Sequence, residues 1–315
     1  MVVETVRPSR REVNARARLP EPEDSNMNDH RPRPAPGLYF ISTPIGAARD
    51  ITLRALDLLA GADVLVAEDT RTLRHLMDIH GLALGQRPLW AYHDHNGAEV
   101  RPRILAAVAE GRSVVYASEA GTPLVADPGY QLGRAAIAAG HAVTAAPGPS
   151  AVLAALTVSG LPSDRFLFAG FPPATRTARR TWLAELGAVK ATLIFFESPN
   201  RVQDMLADAA AVFGPARQAA VCRELTKKFE ETLRGPLGDL AGIMADRTPK
   251  GEFVVLIDRA GDERADEGDI RQALADALGR MKVKEAAGMI AEIYGLPKRD
   301  VYQMALTLTR TETDE

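Results

Sequence analysis

A single cysteine, Cys222, serves all 315 residues, and that scarcity excludes an intramolecular disulfide framework and any multi-cysteine zinc site. It fits a protein kept in a reducing cytoplasm. No apolar run approaches the roughly 20 residues needed to span a bilayer, and the N-terminus lacks the apolar stretch of a secretory signal. No membrane association is expected. The sequence has no G-x-x-x-x-G-K-S/T loop and no G-x-G-x-x-G turn, so neither a P-loop nucleotidase nor a dinucleotide-binding Rossmann domain is supported. A G-x-S-x-G elbow is missing as well, which leaves a Ser-His-Asp hydrolase without support. Excess charge of either sign is absent too. The net charge of −3 neither demands nor forbids nucleic acid, because a local basic face can bind phosphates on a mildly acidic protein.

What is present is a hydrophobic fraction of 46% over a length that suggests two folded units. Residues 1–36 hold seven arginines, six acids and six prolines with almost no large apolar residue. They cannot bury enough surface to offset the entropy of ordering, so a disordered extension is expected. The interleaved acids argue against a transit peptide, and Met27 offers a second start just ahead of the folded part. From Leu38 short β-rich runs alternate with helical patterns: LYFIS, DVLVA, PLWAY, SVVYA and AVTAA, each followed by a helix. Five such units predict a mostly parallel sheet covered on both faces, over residues 37–161. A second set, FLFAGF, ATLIFFE, AAVCRE, FEETL and EFVVLID, includes adjacent strands with no helix between them, which predicts a mixed sheet over 162–260.

An acidic linker, GDERADEGD, and three amphipathic helical patterns fill 261–315. Tyr294-Gly295-Leu296-Pro297 between the last two patterns resembles a helix-turn-helix connection. Five basic and two acidic residues between Arg280 and Arg299 suit a nucleic-acid-facing helix, and a small packing or dimerisation unit is the bland alternative.

Each strand of the first set ends in a polar, turn-rich loop. These are Ser42-Thr43-Pro44-Ile45-Gly46, Glu68-Asp69-Thr70-Arg71, Tyr92-His93-Asp94-His95-Asn96, the run from Ser118 to Gly129, and Pro147-Gly148-Pro149-Ser150. Five such loops at the carboxyl edge of one sheet converge on one crevice, where ligands of open α/β sheets bind. In the run SEAGTPLVADPG two breaker clusters stand back to back, more loop chemistry than a plain connection requires. His93 and His95 would share a face of an extended strand that Asp94 does not, and without a third ligand no metal centre is expected. For Glu68, Asp69 and Arg71 a helix N-terminal acid cluster with a local ion pair competes with substrate contact. In the second set Arg201, Arg223, Lys227 and Lys228 stand just after β-rich runs and suit phosphates, with a surface ion-pair ladder as the alternative.

The words TPIG, DITLRAL, AEDTR, HDHN, AGTPLVADPG, PGPSA, GLPSDRF, TLIFFES, RELTKKFEE and KGEF, in that order over about residues 37–258, resemble the tetrapyrrole-methylase superfamily. AEDTR, GLPSDRF and RELTK are similar to its bacterial branch of ribosomal RNA ribose methyltransferases. The resemblance implies two α/β domains with S-adenosylmethionine in the cleft between them, a small helical terminal domain, and a homodimer. It also implies methylation of the 2′-hydroxyl of cytidine 1402 in the 16S rRNA of the small ribosomal subunit. Pro44, Ile45 and Gly46, then Ser118, Glu119, Ala120, Gly121 and Thr122, then Pro147, Gly148 and Ser150 fall at the family's motif positions and by that likeness form the cofactor cradle. Three positions depart from the usual words. Ala47 stands for an asparagine, Glu119 for an aspartate, and Asn200 for a histidine.

Methyl transfer to a ribose hydroxyl needs alignment of donor and acceptor and removal of a weakly acidic proton. Glu68, Asp69, His93, His95, Glu197, Glu224 and Lys227 are the candidates for that removal. An acid among Asp69, Glu197 and Glu224 is favoured, with Arg71, Arg201, Arg223, Lys227 and Lys228 on the RNA. Tyr92, Phe171 and Phe229 are the available rings for stacking, although core packing is the ordinary job of each. Two alternatives stay open: a small-molecule, tetrapyrrole-type methyltransferase, and a non-enzymatic nucleic-acid-binding regulator.

Overall fold

The computed structural model describes residues 33–260, 267–294 and 296–311. All but the last four residues of the expected N-terminal extension, most of the acidic linker, and Gly295 of the expected helix-turn-helix connection lie outside the described residues.

Strands β1 (Gly37–Ile41), β2 (Val64–Ala67), β3 (Leu89–Ala91), β4 (Ser113–Ala117) and β5 (Val143–Ala146) form one sheet in the order β3-β2-β4-β1-β5, every pair parallel. Strands VLVA and SVVYA are buried along their whole length, as near-continuous apolar runs must be when helices cover both faces. Ile41, Leu59, Leu65, Met77 and Val115 pack on one face, and Leu38, Phe40, Val66, Tyr116 and Leu132 on the other.

The connecting helices are α1 (Leu53–Gly61), α2 (Thr70–Ile79), α3 (Gly97–Ala109), α4 (Gly129–Ala138) and α5 (Ala151–Ser159). The first starts three residues later than the pattern DITLRALDLLAGA suggests. A short 3-10 turn occupies Ala48–Asp50, and Thr52 then caps α1 by accepting from the Ala55 amide at 3.2 Å.

The second sheet is mixed. It contains β6 (Phe166–Gly170), β7 (Thr192–Glu197), β8 (Gln218–Arg223), β9 (Glu231–Pro236) and β10 (Phe253–Ile257) in the order β6-β7-β10-β8-β9. Only β6 and β7 pair in parallel. No helix separates β8 from β9, so the chain can return only as an antiparallel neighbour. Helices α6 (Arg176–Leu186), α7 (Val202–Phe213) and α8 (Leu237–Ala245) cover one face, burying Leu183, Phe195, Met205, Leu206, Leu237 and Val255.

The opposite face is covered by α5. Its Val152, Ala155 and Leu156 pack with Ile194, Ala220, Cys222, Val254 and Leu256. A helix that precedes the expected boundary at 161/162 therefore packs on the second sheet and draws the two α/β units together. Helices α9 (Glu267–Leu278), α10 (Val283–Ile293) and α11 (Lys298–Thr311) bury Ile270, Leu274, Ala287, Ile290, Val301 and Ala305 in a core of their own. The architecture is the one expected: a parallel α/β unit, a mixed α/β unit and a helical end. Among the described residues no helix is long and apolar enough to cross a membrane.

Candidate functional site

Because β1 and β4 pair directly, the loops leaving their carboxyl ends meet above the sheet edge. Thr43 and Gly121 exchange backbone hydrogen bonds, N–H to O at 3.0 Å in each direction, so an antiparallel bridge joins loops from parallel strands. Thr43 Oγ1 donates to the Ser118 carbonyl (3.0 Å), Ser118 Oγ to the Gly121 carbonyl (2.6 Å), and Thr122 Oγ1 to the Pro149 carbonyl (2.9 Å). These hydroxyls knit the three loops into one surface.

Between that surface and the second sheet lies a cavity of about 400 Å³. Ligand pockets run from about 300 to 1,000 Å³. Ile45, Glu68, residues 119–122, residues 125–127, Ser150 and Ala151 wall it on the first side. Phe171, Phe196, Glu197, Cys222, Leu225 and residues 252–254 wall it on the second. Five acidic residues line it, Glu68, Glu119, Asp127, Glu197 and Glu252, and no lysine, arginine or histidine does. Burial pushes the Glu68 carboxyl above its ordinary range, and Asp127, Glu119 and Asp94 push it further. Asp127 Oδ1 accepts from the Tyr116 hydroxyl (2.8 Å) and the Gly129 amide (2.7 Å), while its buried Oδ2 has no hydrogen-bond partner.

Glu197 ends β7 with its side chain fully buried. Oε1 accepts from the Ser198 amide at 2.8 Å. Oε2 has no hydrogen bond: Arg201 Nη2 stands 3.3 Å away as a charge contact and donates instead to the Pro172 carbonyl. Burial raises the Glu197 pKa, and the Ser198 amide and the Arg201 charge offset part of that rise.

At the junction of the two units, a Cβ on Gly46 would fall 2.5 Å from Lys227 Cγ and 2.7 Å from Thr226 Oγ1. Only glycine permits this approach. The neighbouring Ala47 amide donates to Thr226 Oγ1 at 3.0 Å. Lys227 Nζ donates to Glu224 Oε1 and Glu252 Oε2, 2.9 Å each, and Glu224 Oε1 also accepts from the Glu252 amide (3.0 Å). The Lys227 hydrogen bond holds the Glu224 carboxyl below its ordinary range.

Of the three acids expected to take a proton, Glu197 alone lines the cavity. Asp69 caps α2, accepting from the Arg71 amide (2.8 Å) and pairing with the Arg71 guanidinium (3.0 Å), which keeps its carboxyl low. Glu224 is engaged behind Glu252 as described. The residues expected in the cradle divide as well. Ile45, Glu119, Ala120, Gly121, Thr122 and Ser150 line the cavity. Ser118 is spent on loop closure, Gly148 lies against Ser42, and Pro44, Gly46 and Pro147 are outside the wall.

None of the five cations expected on RNA lines the cavity. Arg71 is exposed beside Asp69, and Lys228 lies over the Phe229 ring. Arg223 donates to the Lys250 carbonyl, while Arg201 and Lys227 are engaged with the carboxylates described. The exposed Asn200 is also outside the wall. His93 and His95 sit in a turn beyond β3 and not on a strand, their rings 6.0 Å apart. The turn is closed by Asn96, whose side chain bonds the His93 amide and the Ala91 carbonyl, so the strand alternation expected for the two histidines does not apply. No group of three His, Cys, Asp or Glu placed to hold a metal occurs among the described residues.

Reading the sequence placed Asp127 in a crevice loop without giving it a role, and did not single out Phe196, Cys222 or Glu252 as wall residues. Asp127 and Glu252 carried a signal, an acid before a Pro-Gly turn and an acid before the fully buried strand FVVLI.

The model of the Tetrapyrrole (Corrin/Porphyrin) Methylases matches residues 37–241, and that of the RsmI C-terminal HTH domain matches 264–309. A Mesorhizobium japonicum protein named ribosomal RNA small subunit methyltransferase I is 48% identical over 277 residues, 88% of this chain and 93% of the relative. An Escherichia coli O157:H7 protein of the same name is 41% identical over 272 residues, 85% and 94% of the two chains. The solved structure of a cobalamin biosynthetic enzyme, cobalt precorrin-4 methyltransferase, superposes with a TM-score of 0.53 at 22% identity, covering 70% of this chain and 94% of that one, a likeness of fold. On the matched segments, and on relatives that share over two-fifths of their residues across nearly their full length, the chain belongs to the tetrapyrrole methylase family, in the branch that carries the RsmI C-terminal domain.

Proposed function

We propose that this chain transfers a methyl group from S-adenosylmethionine to the ribose 2′-hydroxyl of cytidine 1402 in the 16S rRNA of the small ribosomal subunit. The observation that carries this reading is the wholly acidic set of ionisable groups in the cavity, with the buried Glu197 Oε2 lacking a hydrogen bond. S-adenosylmethionine supplies an electrophilic methyl group on a sulfonium. A wall of carboxylates suits a ligand bearing a sulfonium and an ammonium, and the volume suits a molecule of that class. Ile45, Glu119, Ala120, Gly121, Thr122 and Ser150 would hold it, on a surface whose shape is set by Pro44, Gly46, Ser118, Pro147 and Gly148.

Glu197, the one favoured acid in the cavity wall, takes the proton of the ribose hydroxyl as the oxygen becomes the nucleophile, which requires its buried carboxylate to turn toward the cavity when the acceptor binds. A buried carboxylate with a raised pKa is a stronger base than an exposed one, which suits it to this weakly acidic proton. Arg201, held by the Pro172 carbonyl, stands beside that carboxylate. The acidic wall repels phosphate, so the RNA backbone stays outside, where Arg71, Arg201, Arg223, Lys227 and Lys228 are the candidates for contact. The same repulsion weighs against a polycarboxylate tetrapyrrole as substrate. RNA as the acceptor is supported by the names of the relatives. Domains at 37–161, 162–260 and 261–315, a homodimer and a cytoplasmic location complete the reading.

Transfer of labelled methyl to purified small subunits and, separately, to free 16S rRNA from a strain lacking this gene tests it. Nuclease mapping is expected to find label on one cytidine ribose, and the preparation that accepts it identifies the substrate. No label on either, with calorimetry still showing cofactor binding, would overturn the RNA reading in favour of a small-molecule methyltransferase.

A further inference from the structure

The second wall of the cavity presents a side chain that packing does not explain. Phe171 is 53% exposed and lines the cavity, although a large apolar ring is ordinarily removed from water. The backbone sets it there. The β6–β7 register shifts between Phe168 and Gly170, and Gly170 takes a φ of +77°, a conformation that favours glycine.

The ring is fastened twice to the strand that carries Glu197. Its edge meets Phe196 with centroids 5.7 Å apart, and the carbonyl of the next residue, Pro172, accepts from the same Arg201 guanidinium that faces Glu197 Oε2. One arginine thus joins the backbone next to the exposed ring to the buried carboxylate. The other rings noted in the sequence are otherwise occupied. Tyr92 is buried with its hydroxyl accepting from Arg101, and Phe229 lies under Lys228 outside the cavity wall.

We infer that Phe171 is the platform on which the base of the target nucleotide stacks while its ribose enters the acidic cavity. The inference rests on the reading of the protein as an RNA ribose methyltransferase. An acidic cavity admits the uncharged parts of a nucleotide, base and ribose, and holds its phosphates away. Single-stranded or splayed nucleotides are commonly held by stacking on an aromatic face, which has a π-surface for any base. A ring half in solvent and held against Phe196 fixes where the base sits at the cavity mouth, so stacking would also align the ribose within it.

The test compares Phe171→Leu, Phe171→Ala and Phe171→Trp with the unaltered protein. S-adenosylmethionine affinity is measured by calorimetry, and kcat and KM on the RNA preparation that accepts methyl. The exposed position predicts that all three fold, and melting curves check this. Phe171→Leu keeps apolar bulk without the ring. It and Phe171→Ala are expected to lower kcat/KM for RNA about ten- to a hundredfold with cofactor affinity unchanged, and Phe171→Trp to keep most activity. A substrate with an abasic ribonucleotide at the target still offers the hydroxyl, and on it the unaltered protein and Phe171→Leu should be equally slow. Parallel loss of cofactor affinity would overturn the inference and give the ring to the cofactor. Full activity of Phe171→Leu, or a persistent difference on the abasic substrate, would overturn it while leaving the methyltransferase intact. If the unaltered protein methylates no RNA, this inference and the proposed function fall together.

Discussion

The first wall of the cavity is made of loops that bond to one another, the second of side chains that stand at the ends of strands. On the first side Thr43, Ser118, Gly121 and Thr122 direct hydroxyls and amides into neighbouring loops. On the second, Phe171 and Glu252 present ring and charge at the cavity, while Glu197 closes the wall at the end of β7 with its carboxylate buried beside Arg201. On the proposed function, shape falls to the first domain and reactivity to the second, and substitutions on the two sides should separate binding from turnover.

The sharpest division is expected from Glu197→Gln, which keeps the side chain's size and removes the proton acceptor. Methyl transfer should fall about 10²- to 10⁴-fold, with cofactor affinity by calorimetry near that of the unaltered protein. Loss of affinity with little loss of rate would break the comparison. Burial raises the Glu197 pKa, and only the ionised form accepts a proton. The rate should therefore decline as pH falls through that raised value, at a higher pH than an ordinary carboxylate would give. The stability contribution has the opposite sense: the folded state holds this proton more tightly than the unfolded chain does, so the contribution falls as pH rises through the same window. A pH–rate profile with no acid limb above the usual carboxylate range would assign the proton elsewhere.

Gly46→Ala acts on the joint between the walls. A methyl 2.5 Å from Lys227 Cγ forces the TPIG loop off the second domain, and overpacking of this kind costs about 1–3 kcal/mol. Chemical denaturation should show that loss, together with weaker transfer. Thr43→Val tests the first wall alone. It removes the buried hydrogen bond to the Ser118 carbonyl and the longer 3.4 Å contact with Ser118 Oγ, and should lower stability by about 1 kcal/mol and weaken cofactor binding more than kcat. The smallest effect belongs to Asp69→Ala. The cap of α2 is lost and the melting temperature falls slightly, while methyl transfer is unchanged, because this carboxylate is already engaged with the Arg71 amide and guanidinium outside the cavity.

Asp69 and Glu197 also mark how far the sequence could be read. Each stands at or just beyond the carboxyl end of a strand, and sequence position alone could not rank them. The difference lies in what each oxygen meets: Asp69 faces its own helix amides and the Arg71 guanidinium, while the Glu197 oxygens are buried against the Ser198 amide and Arg201 at the end of a wall strand. The strands were legible because parallel, doubly covered strands are apolar throughout, as in VLVA and SVVYA. The mixed second sheet was legible from adjacent strands without a helix between them. Two features were not. The apolar run AVLAALTVS shows that α5 is buried but not on which sheet it packs. The place of Glu252 depends on β10 lying between β7 and β8, a long-range pairing that no local pattern encodes.

The bridge between Thr43 and Gly121 bears on the thermodynamics of ligand capture. Two amides that bond each other across loops far apart in sequence are shielded from solvent by folding itself, and their hydrogens should exchange slowly with or without a ligand. The entropy of ordering these loops is then lost once, when the chain folds, and not at each encounter. Binding at this surface should accordingly show the modest heat-capacity change of a preformed site and none of the large change that accompanies coupled folding.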